Sequence, residues 1–303
     1  MRPVFRALLG VVLLLSLILA VPAASQATTT LHELHVIVGS AEIAYAEVGS
    51  PDAPVLVMLN GTASPMSDWD PKFIGRLARD GHRVVVFDYP GLGGSSNIAQ
   101  GTTFDDLADL VAQFIRVRGY GDTDVLGWSM GGFIAQRLLV RHPDVLRRVV
   151  LAATNPGGDR AVLGPKWVQR IDSNADSALS AYVRTNYPSG KHHRGWAFIN
   201  RVNRAIDAGR YPTYRVPSRT DRIMVAAEDP WLRSNENLVE LRSVQNPVLV
   251  IDGREDVVTP LRNSRVIRNA LPNSTLNVVP HAGHSFLFQR PVVIADVVST
   301  FLS

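Results

Sequence analysis

The chain has 303 residues, of which 46% are hydrophobic and 19% charged, and it contains 23 glycines, 19 prolines and no cysteine. This ordinary globular composition excludes a disordered or collagen-like chain, and the length is enough for one large domain or two smaller ones. Without cysteine the chain has no disulfide, no thiolate zinc site, no iron–sulfur cluster and no cysteine nucleophile.

The formal net charge of +4 gives little support for a nucleic-acid partner. Arg2 and Arg6 contribute two of these charges from a leader that contains no acid. The other arginines are scattered, and lysine occurs only at Lys72, Lys166 and Lys191. Because nucleic-acid binding usually needs a dense basic patch or stripe, we expect no nucleic-acid partner.

The amino terminus has the pattern of a secretory signal peptide. Arg2 and Arg6 precede an apolar run over residues 7–21, and small residues follow, among them Ala23 and Ala27. A charged start, an apolar centre and a small-residue cleavage site are typical of such signals. The run has about 15 residues, fewer than the roughly 20 that span a bilayer as a helix. We therefore expect a secreted or extracytoplasmic protein, anchored in a membrane only if the leader is retained.

Beyond the leader, short strands alternate with helices. The predicted strands cover residues 31–38, 41–48, 55–59, 83–87, 123–128, 148–153, 248–251 and 275–279. The predicted helices cover residues 71–80, 104–118, 131–142, 261–271 and 292–302. Several strands are wholly apolar, which favours a mostly parallel sheet covered by helices on both faces. Gly39 and Ser40 join the first two strands as a hairpin, which predicts an antiparallel edge.

This alternation is interrupted between residues 155 and 246. The stretch is rich in aromatic residues but contains no buried-strand run. We predict a helical cap, or lid, inserted into the core. The predicted organisation is a signal peptide over residues 1–27, a core over residues 28–154 and 247–303, and a lid over residues 155–246.

A candidate nucleophile lies where a predicted strand meets a predicted helix, in the pentapeptide GWSMG at residues 127–131. Gly127 and Gly131 have no Cβ, so the chain can turn sharply there. Such a turn lifts the hydroxyl of Ser129 above the edge of the sheet. The N–H of Met130 points into the same space, at the positive end of a helix.

A serine hydroxyl needs a base to take its proton, and histidine is suited to this near neutral pH. Of the eight histidines, only His281 and His284 lie in the loop after the last predicted strand. That loop is at the carboxyl end of the sheet, where α/β sheets keep their sites. Both histidines fit by position alone.

An acid that orients the histidine is expected after a strand as well. Asp252, Glu255 and Asp256 follow the preceding predicted strand. Glu228 and Asp229, near the end of the insertion, are more remote alternatives.

These features resemble the α/β-hydrolase superfamily over nearly the whole mature chain. Four further segments fit in order. LNGT at 59–62 lies where the family usually has His-Gly, and DYPGLGGS at 88–95 is similar to its D-x-x-G-x-G-x-S turn. IDGREDVVTP at 251–260 is similar to the segment that carries the acid, and PHAGHS at 280–285 to the segment that carries the histidine. The order Ser, Asp, His is that of the family.

The resemblance implies an α/β-hydrolase fold with Ser129, Asp256 and His284 as the catalytic residues. It selects His284, which follows a glycine, over His281, and it favours Asp256 over its neighbouring acids. It implies no cofactor and no metal.

The resemblance also implies an oxyanion hole formed by the backbone N–H groups of Thr62 and Met130. Asn60 departs from the family, which usually has histidine there, so the geometry of this loop is in question. A backbone donor does not need that side chain.

We therefore predict an exported serine hydrolase acting on a small-molecule ester or related acyl compound. Amides, thioesters, lactones and C–C bonds remain open as substrates, as does cofactor-free perhydrolase or haloperoxidase activity. A catalytically silent binding protein on the same fold is the alternative from another class, and Asn60 is the one feature in its favour.

Overall fold

The computed structural model describes residues 29–172 and 178–303. The predicted signal peptide, residues 1–27, lies outside this part of the chain. Within the described residues, no helix combines the length and the apolar character that crossing a membrane requires.

In the described part of the chain, eight strands form one central sheet. They are β1 (Leu34–Val38), β2 (Ala41–Val48), β3 (Val55–Leu59), β4 (Arg83–Phe87), β5 (Thr123–Trp128), β6 (Leu146–Ala152), β7 (Val248–Gly253) and β8 (Ser274–Val279). Their order across the sheet is β1-β2-β4-β3-β5-β6-β7-β8. Strand β2 is antiparallel to both neighbours, and the other pairs are parallel. The predicted mostly parallel sheet with a hairpin at one edge is therefore confirmed.

Helices cover both faces of this sheet. They are α1 (Pro71–Arg79), α2 (Phe104–Arg118), α3 (Met130–Arg141), α4 (Lys166–Asp172), α5 (Leu179–Asn186), α6 (His192–Asp207), α7 (Ser218–Ala226), α8 (Glu228–Arg233), α9 (Glu236–Glu240), α10 (Arg262–Ala270), α11 (Phe286–Gln289) and α12 (Pro291–Leu302). Helices α2, α3 and α10 share one apolar core with the sheet, and α1, α11 and α12 share a second core on the opposite face. Both faces of the central strands are thus buried, which explains why they are apolar throughout.

Local sequence signals set the ends of the flanking helices. Asp70 caps α1 by accepting a hydrogen bond from the N–H of Lys72 at 2.8 Å, and proline occupies the first helical position. Thr103 and Asp106 form a reciprocal capping box at the start of α2. Gly119 ends α2 in a left-handed conformation, with φ of 65°.

Several strand boundaries differ from the sequence prediction by one to three residues, and two of the differences have a clear structural cause. Strand β1 begins at Leu34 and not at Leu31, because the N–H of Leu31 donates to the carbonyl of Arg210 at 2.9 Å, in the inserted segment. Strand β6 begins two residues earlier than predicted, at Leu146. The sequence did not predict this earlier start because the charged Arg147 interrupts the apolar pattern. In the structure its guanidinium pairs with the buried carboxylate of Asp124.

Helices α4 to α9 all lie between β6 and β7, and no strand occurs among the described residues of this stretch. A buried ion pair ties the stretch to the core. The guanidinium of Arg201 on α6 contacts both carboxylate oxygens of Asp70 and donates to the carbonyl of Phe288 at 3.0 Å. Burial raises the pKa of Asp70, and Arg201 opposes that effect.

Replacing Arg201 with methionine should lower the free energy of unfolding by about 3 kcal/mol, because the fully buried Asp70 carboxyl loses its counter-ion. Urea denaturation of the purified protein measures this change. Arg204→Met is the matched control, since Arg204 lies on the same helix with an exposed side chain, and it should change stability by less than about 0.5 kcal/mol. Equal losses in the two variants would show that the ion pair does not hold the segment in place.

Candidate active site

Ser129 occupies a sharp corner between β5 and α3. Its backbone has φ of 56° and ψ of −121°, a conformation that costs a non-glycine residue about 1–3 kcal/mol. Two backbone hydrogen bonds hold it there: its N–H donates to the carbonyl of Ala152 at 3.0 Å, and its carbonyl accepts from the N–H of Gly132 at 2.8 Å. The corner therefore has the strained geometry expected of a nucleophile elbow.

The two glycines of the pentapeptide are required by close backbone contacts. A Cβ on Gly127 would lie 2.2 Å from the carbonyl oxygen of Gly131. A Cβ on Gly131 would lie 2.1 Å from the carbonyl oxygen of Leu59, at the end of β3. The elbow thus packs directly against the end of β3 and the loop that follows it.

His284 lies beside the serine. Its Nε2 is 3.0 Å from the Oγ of Ser129, and its Nδ1 is 2.8 Å from Oδ2 of Asp256. The side chains of His284 and Asp256 are almost entirely buried. The structure thus brings together the three side chains that the resemblance selected from among the candidates.

Asp256 is held by its own turn. Its Oδ1 accepts from the N–H groups of Val258 at 2.7 Å and Thr259 at 3.0 Å, and its Oδ2 accepts from the hydroxyl of Thr259 at 3.0 Å. The Thr259 hydroxyl also lies 3.3 Å from Nδ1 of His284. Sequence reasoning missed Thr259, although its place three residues after the acid is a recognisable turn signal.

Among the other candidates, Asp252 lies next to Asp256, whereas His281 and Asp229 lie on the surface. Asp252 is buried and accepts from the hydroxyl of Ser264 at 2.7 Å, while burial and the neighbouring Asp256 carboxylate raise its pKa well above the usual range. The side chain of His281 is 74% exposed and lies 3.5 Å from the carboxylate of Glu255. Of the remote acids, Asp229 pairs with Arg233 on the surface, whereas Glu228 lines a cavity near Ser129.

The loop after β3 is braced by Asn60. Its side-chain amide donates to the carbonyl of Pro65 at 3.0 Å, and its side-chain oxygen accepts from the N–H of Gly61 at 2.9 Å. Asn60 therefore stabilises the loop from within. Thr62, the predicted oxyanion residue, lies in this loop beside Ser129.

Trp128 and Asn186 are among the residues that fix the loop carrying His284. The indole N–H of Trp128 donates to the carbonyl of His284 at 3.1 Å. From the inserted segment, Asn186 accepts the N–H of Ser285 at 3.2 Å and its hydroxyl at 2.9 Å. Asn186 lies about 100 residues earlier in the chain, and no local pattern marks it as a partner of the histidine loop.

Two cavities meet at Ser129 and Thr62. We call the first, of about 250 Å³, the nucleophile cleft; it is also lined by Trp128, Tyr182 and His284. The second, of about 490 Å³, we call the larger cleft. Its lining combines hydrophobic side chains, among them Phe133 and Leu232, with polar and charged ones, among them Asn155, Lys166 and Glu228. A molecule that reaches Ser129 can therefore extend in two directions.

The arrangement suits acyl transfer. A hydroxyl 3.0 Å from an imidazole nitrogen can pass its proton to that nitrogen as it attacks a carbonyl carbon. Met130 begins α3, and the first N–H groups of a helix have no partner within it. Such N–H groups are suited to stabilising the negative charge that forms on the attacked oxygen.

Comparison with known proteins gives related enzymes. The chain is 28% identical over 258 residues to a poly(3-hydroxyalkanoate) depolymerase of Ectopseudomonas oleovorans, covering 84% of this chain and 86% of that protein. It is also 28% identical over 249 residues to a pimeloyl-[acyl-carrier protein] methyl ester esterase of Nitrosomonas europaea, covering 79% of this chain and 92% of the relative. These relatives are hydrolases.

Solved structures share the architecture. An alpha/beta hydrolase fold protein from Chitinophaga pinensis superposes with a TM-score of 0.78 and 22% identity, covering 91% of this chain and 98% of that one. At this identity the likeness concerns the fold. The family model of the alpha/beta hydrolase fold matches residues 54–291, well over half of the chain. The protein therefore belongs to the alpha/beta hydrolase fold family, as its sequence motifs predicted.

Proposed function

We propose that this protein is an exported serine hydrolase that cleaves carboxylic esters through an acyl-enzyme on Ser129. The observation that carries the proposal is the hydrogen-bonded chain from Ser129 through His284 to Asp256, with distances of 3.0 and 2.8 Å. Ser129 is half-buried at its strained corner, and the two cavities that adjoin it give a substrate access.

In the first half of the reaction, the Oγ of Ser129 attacks the ester carbonyl carbon while Nε2 of His284 takes the hydroxyl proton. Asp256 keeps Nδ1 protonated, so that Nε2 is the nitrogen that faces the serine. When the tetrahedral intermediate collapses, the C–O bond to the alcohol breaks. His284 then returns its proton to the leaving alkoxide, and an acyl-serine remains.

The negative charge of the intermediate is held by the backbone N–H groups of Thr62 and Met130. Each such donor typically contributes a factor of about 100 to 1000 in rate. Asn60 serves this role indirectly, because its two hydrogen bonds fix the loop that carries Thr62.

The second half of the reaction uses water as the nucleophile. His284 removes a proton from water, the resulting hydroxide attacks the acyl carbon, and the bond to Oγ breaks. Ser129 regains its proton from His284 and the carboxylic acid departs. No cofactor enters either half.

Hydrolysis of a carboxylic ester needs no catalytic groups beyond the serine, the histidine, the aspartate and the oxyanion donors. One related protein is named a methyl ester esterase and another a depolymerase of a hydroxyalkanoate polymer. The larger cleft, of about 490 Å³, offers both hydrophobic and polar side chains to the acyl group of an ester.

Export is inferred from the leader. Arg2 and Arg6, the apolar run over residues 7–21 and the small residues after it support a cleaved signal peptide. Amino-terminal sequencing of the protein from the culture medium or the cell envelope tests this, and a chain that still begins at residue 1 would contradict cleavage.

Ser129→Ala should abolish both p-nitrophenyl butyrate hydrolysis and covalent labelling by a fluorophosphonate, because the attacking oxygen is gone. Release of p-nitrophenol and mass spectrometry of the labelled protein measure the two effects. Heat-denatured wild-type protein serves as the control for non-specific labelling. If the native wild-type protein shows neither activity nor labelling at neutral pH, the chain is a silent binding protein on this fold.

His284→Ala should lower kcat/KM for the same ester by at least about 1000-fold, because His284 is the base that hydrogen-bonds the serine hydroxyl among the described residues. His281→Ala is the matched control, since that side chain is 74% exposed and belongs to the same loop. It should leave the rate within about twofold, as surface substitutions do. The opposite ranking of the two variants would transfer the catalytic role to His281.

Asp256→Asn should lower kcat by as much as about 10⁴-fold, because asparagine favours the wrong tautomer of the histidine. Steady-state kinetics with p-nitrophenyl butyrate measure this loss. Asp252→Asn is a close control: Asp252 is also buried, and the raised pKa of its carboxyl makes a neutral amide a fair replacement. A large loss in Asp252→Asn alone would show that the orienting acid has been misassigned.

A further inference from the structure

A third cavity, of about 230 Å³, lies next to the nucleophile cleft. The two share Ser64, Trp128 and Tyr182 as common lining residues. We call it the aromatic side pocket, because its lining includes Trp128, Tyr182, Phe198 and Phe288. Trp128 directly precedes the proposed nucleophile in the chain, so a substrate held at Ser129 can place a substituent in this pocket.

The aromatic walls of the pocket are preorganised. The rings of Phe198 and Phe288 stack with centroids 4.4 Å apart and an interplanar angle of 9°. Trp128 meets Phe288 edge-on at 5.1 Å. Because these rings hold one another in place, their faces and edges present a fixed apolar lining to a ligand.

One acidic side chain, Asp68, also lines this pocket. It belongs to the short 3-10 turn Met66–Asp68, and its backbone N–H donates to the carbonyl of Pro65 at 3.0 Å. Its carboxylate makes no hydrogen bond and no ion pair with the described residues. None of the described residues that line the pocket carries a positive charge.

Burial, followed by the nearby carboxylate of Asp88, raises the pKa of Asp68 to about 7. The Asp68 side chain is half-buried, and none of the described residues supplies a counter-ion that would offset the cost of its ionisation near neutral pH. An external positive charge would offset it, and the faces of aromatic rings attract such a charge as well.

We propose that the aromatic side pocket binds an organic ammonium group and that Asp68 is its counter-ion. The proposal rests on the proposed ester hydrolysis and narrows its substrates to esters that carry a substituted ammonium close to the scissile carbonyl. A neutral hydroxyl would satisfy one oxygen of Asp68 but would supply no charge and no attraction to the ring faces.

A matched pair of esters tests the pocket: choline butyrate and 3,3-dimethylbutyl butyrate, which have the same shape and differ by one charge. At pH 8 the wild-type protein should hydrolyse the choline ester with a kcat/KM at least about tenfold higher than the neutral ester. Asp68→Asn should reduce this ratio to near one while leaving hydrolysis of the neutral ester within about threefold.

The matched control for a general charge effect is Asp207→Asn. Asp207 is an exposed acid at the end of α6, the helix that contributes Phe198 to the pocket. The Asp207→Asn substitution removes the same charge from the same side of the molecule, and it should leave the ratio of kcat/KM for the two esters unchanged. A fall in the ratio for both variants would indicate long-range attraction of the cation and would overturn the assignment to Asp68.

The ratio should also rise with pH as Asp68 ionises, around pH 7. Titration of His284 affects both esters alike and cancels in the ratio. The other titratable groups that act on Asp68 or feel its charge are Asp88, whose pKa burial raises to about 6, and Tyr182, whose pKa burial raises above its usual range. Both remain in Asp68→Asn, so a flat ratio in that variant assigns the pH dependence to Asp68.

Two failures are distinguishable. Equal hydrolysis of the two esters by the wild-type protein at every pH would overturn the ammonium site and leave ester hydrolysis intact. If no ester is hydrolysed, choline binding is measured by calorimetric titration of the wild-type protein and of Asp68→Asn. Binding that is lost in Asp68→Asn supports the ammonium site, and the absence of binding to the wild-type protein overturns it. Should Asp68→Asn not fold, the wild-type ratio and its rise with pH decide alone.

Discussion

The close approach of the β5–α3 corner to the end of β3 is the constraint on which the site depends. Gly127 and Gly131 allow backbone atoms to meet where any Cβ would lie about 2 Å from a carbonyl oxygen. The backbone of Ser129 is strained at this corner. The strain is tolerated because strands β3 and β5 are wholly buried and β5 is hydrogen-bonded to a neighbour on each side.

The segment between β6 and β7 also contacts the loop that carries His284. Asn186 holds the backbone and hydroxyl of Ser285, and a Cβ on Gly283 would lie 2.6 Å from the carbonyl oxygen of Asn186. The residue before His284 and the residue after it are therefore both in contact with the insertion. Arg201 fixes the same segment to α1 on the other side of the site. A displacement of this segment would therefore also disturb the loop that carries His284.

The fold was predictable because its signals are local and repeated. Wholly apolar runs such as Val55–Leu59 predicted buried strands, and glycine, proline and capping residues marked most of the helix ends. The boundary at Leu146 was missed because Arg147 interrupts the apolar pattern, although a buried aspartate neutralises it. The placement of Ser129, Asp256 and His284 followed from family motifs. The contacts of Asn186 and the environment of Asp68 depend on chain segments far apart in sequence, and no single-sequence pattern encodes them.

Asp68 stands apart from the other buried or half-buried acids of the core. Asp70, two residues later, is paired with Arg201, and Asp124 with Arg147. Asp88 accepts the N–H of Met66, and Asp252 accepts the hydroxyl of Ser264. Each of these carboxyls has a partner that reduces the cost of burial, whereas Asp68 has none among the described residues. An unpaired carboxyl in a cavity next to the proposed nucleophile has a physical rationale if the substrate itself supplies the positive charge that pairs with it.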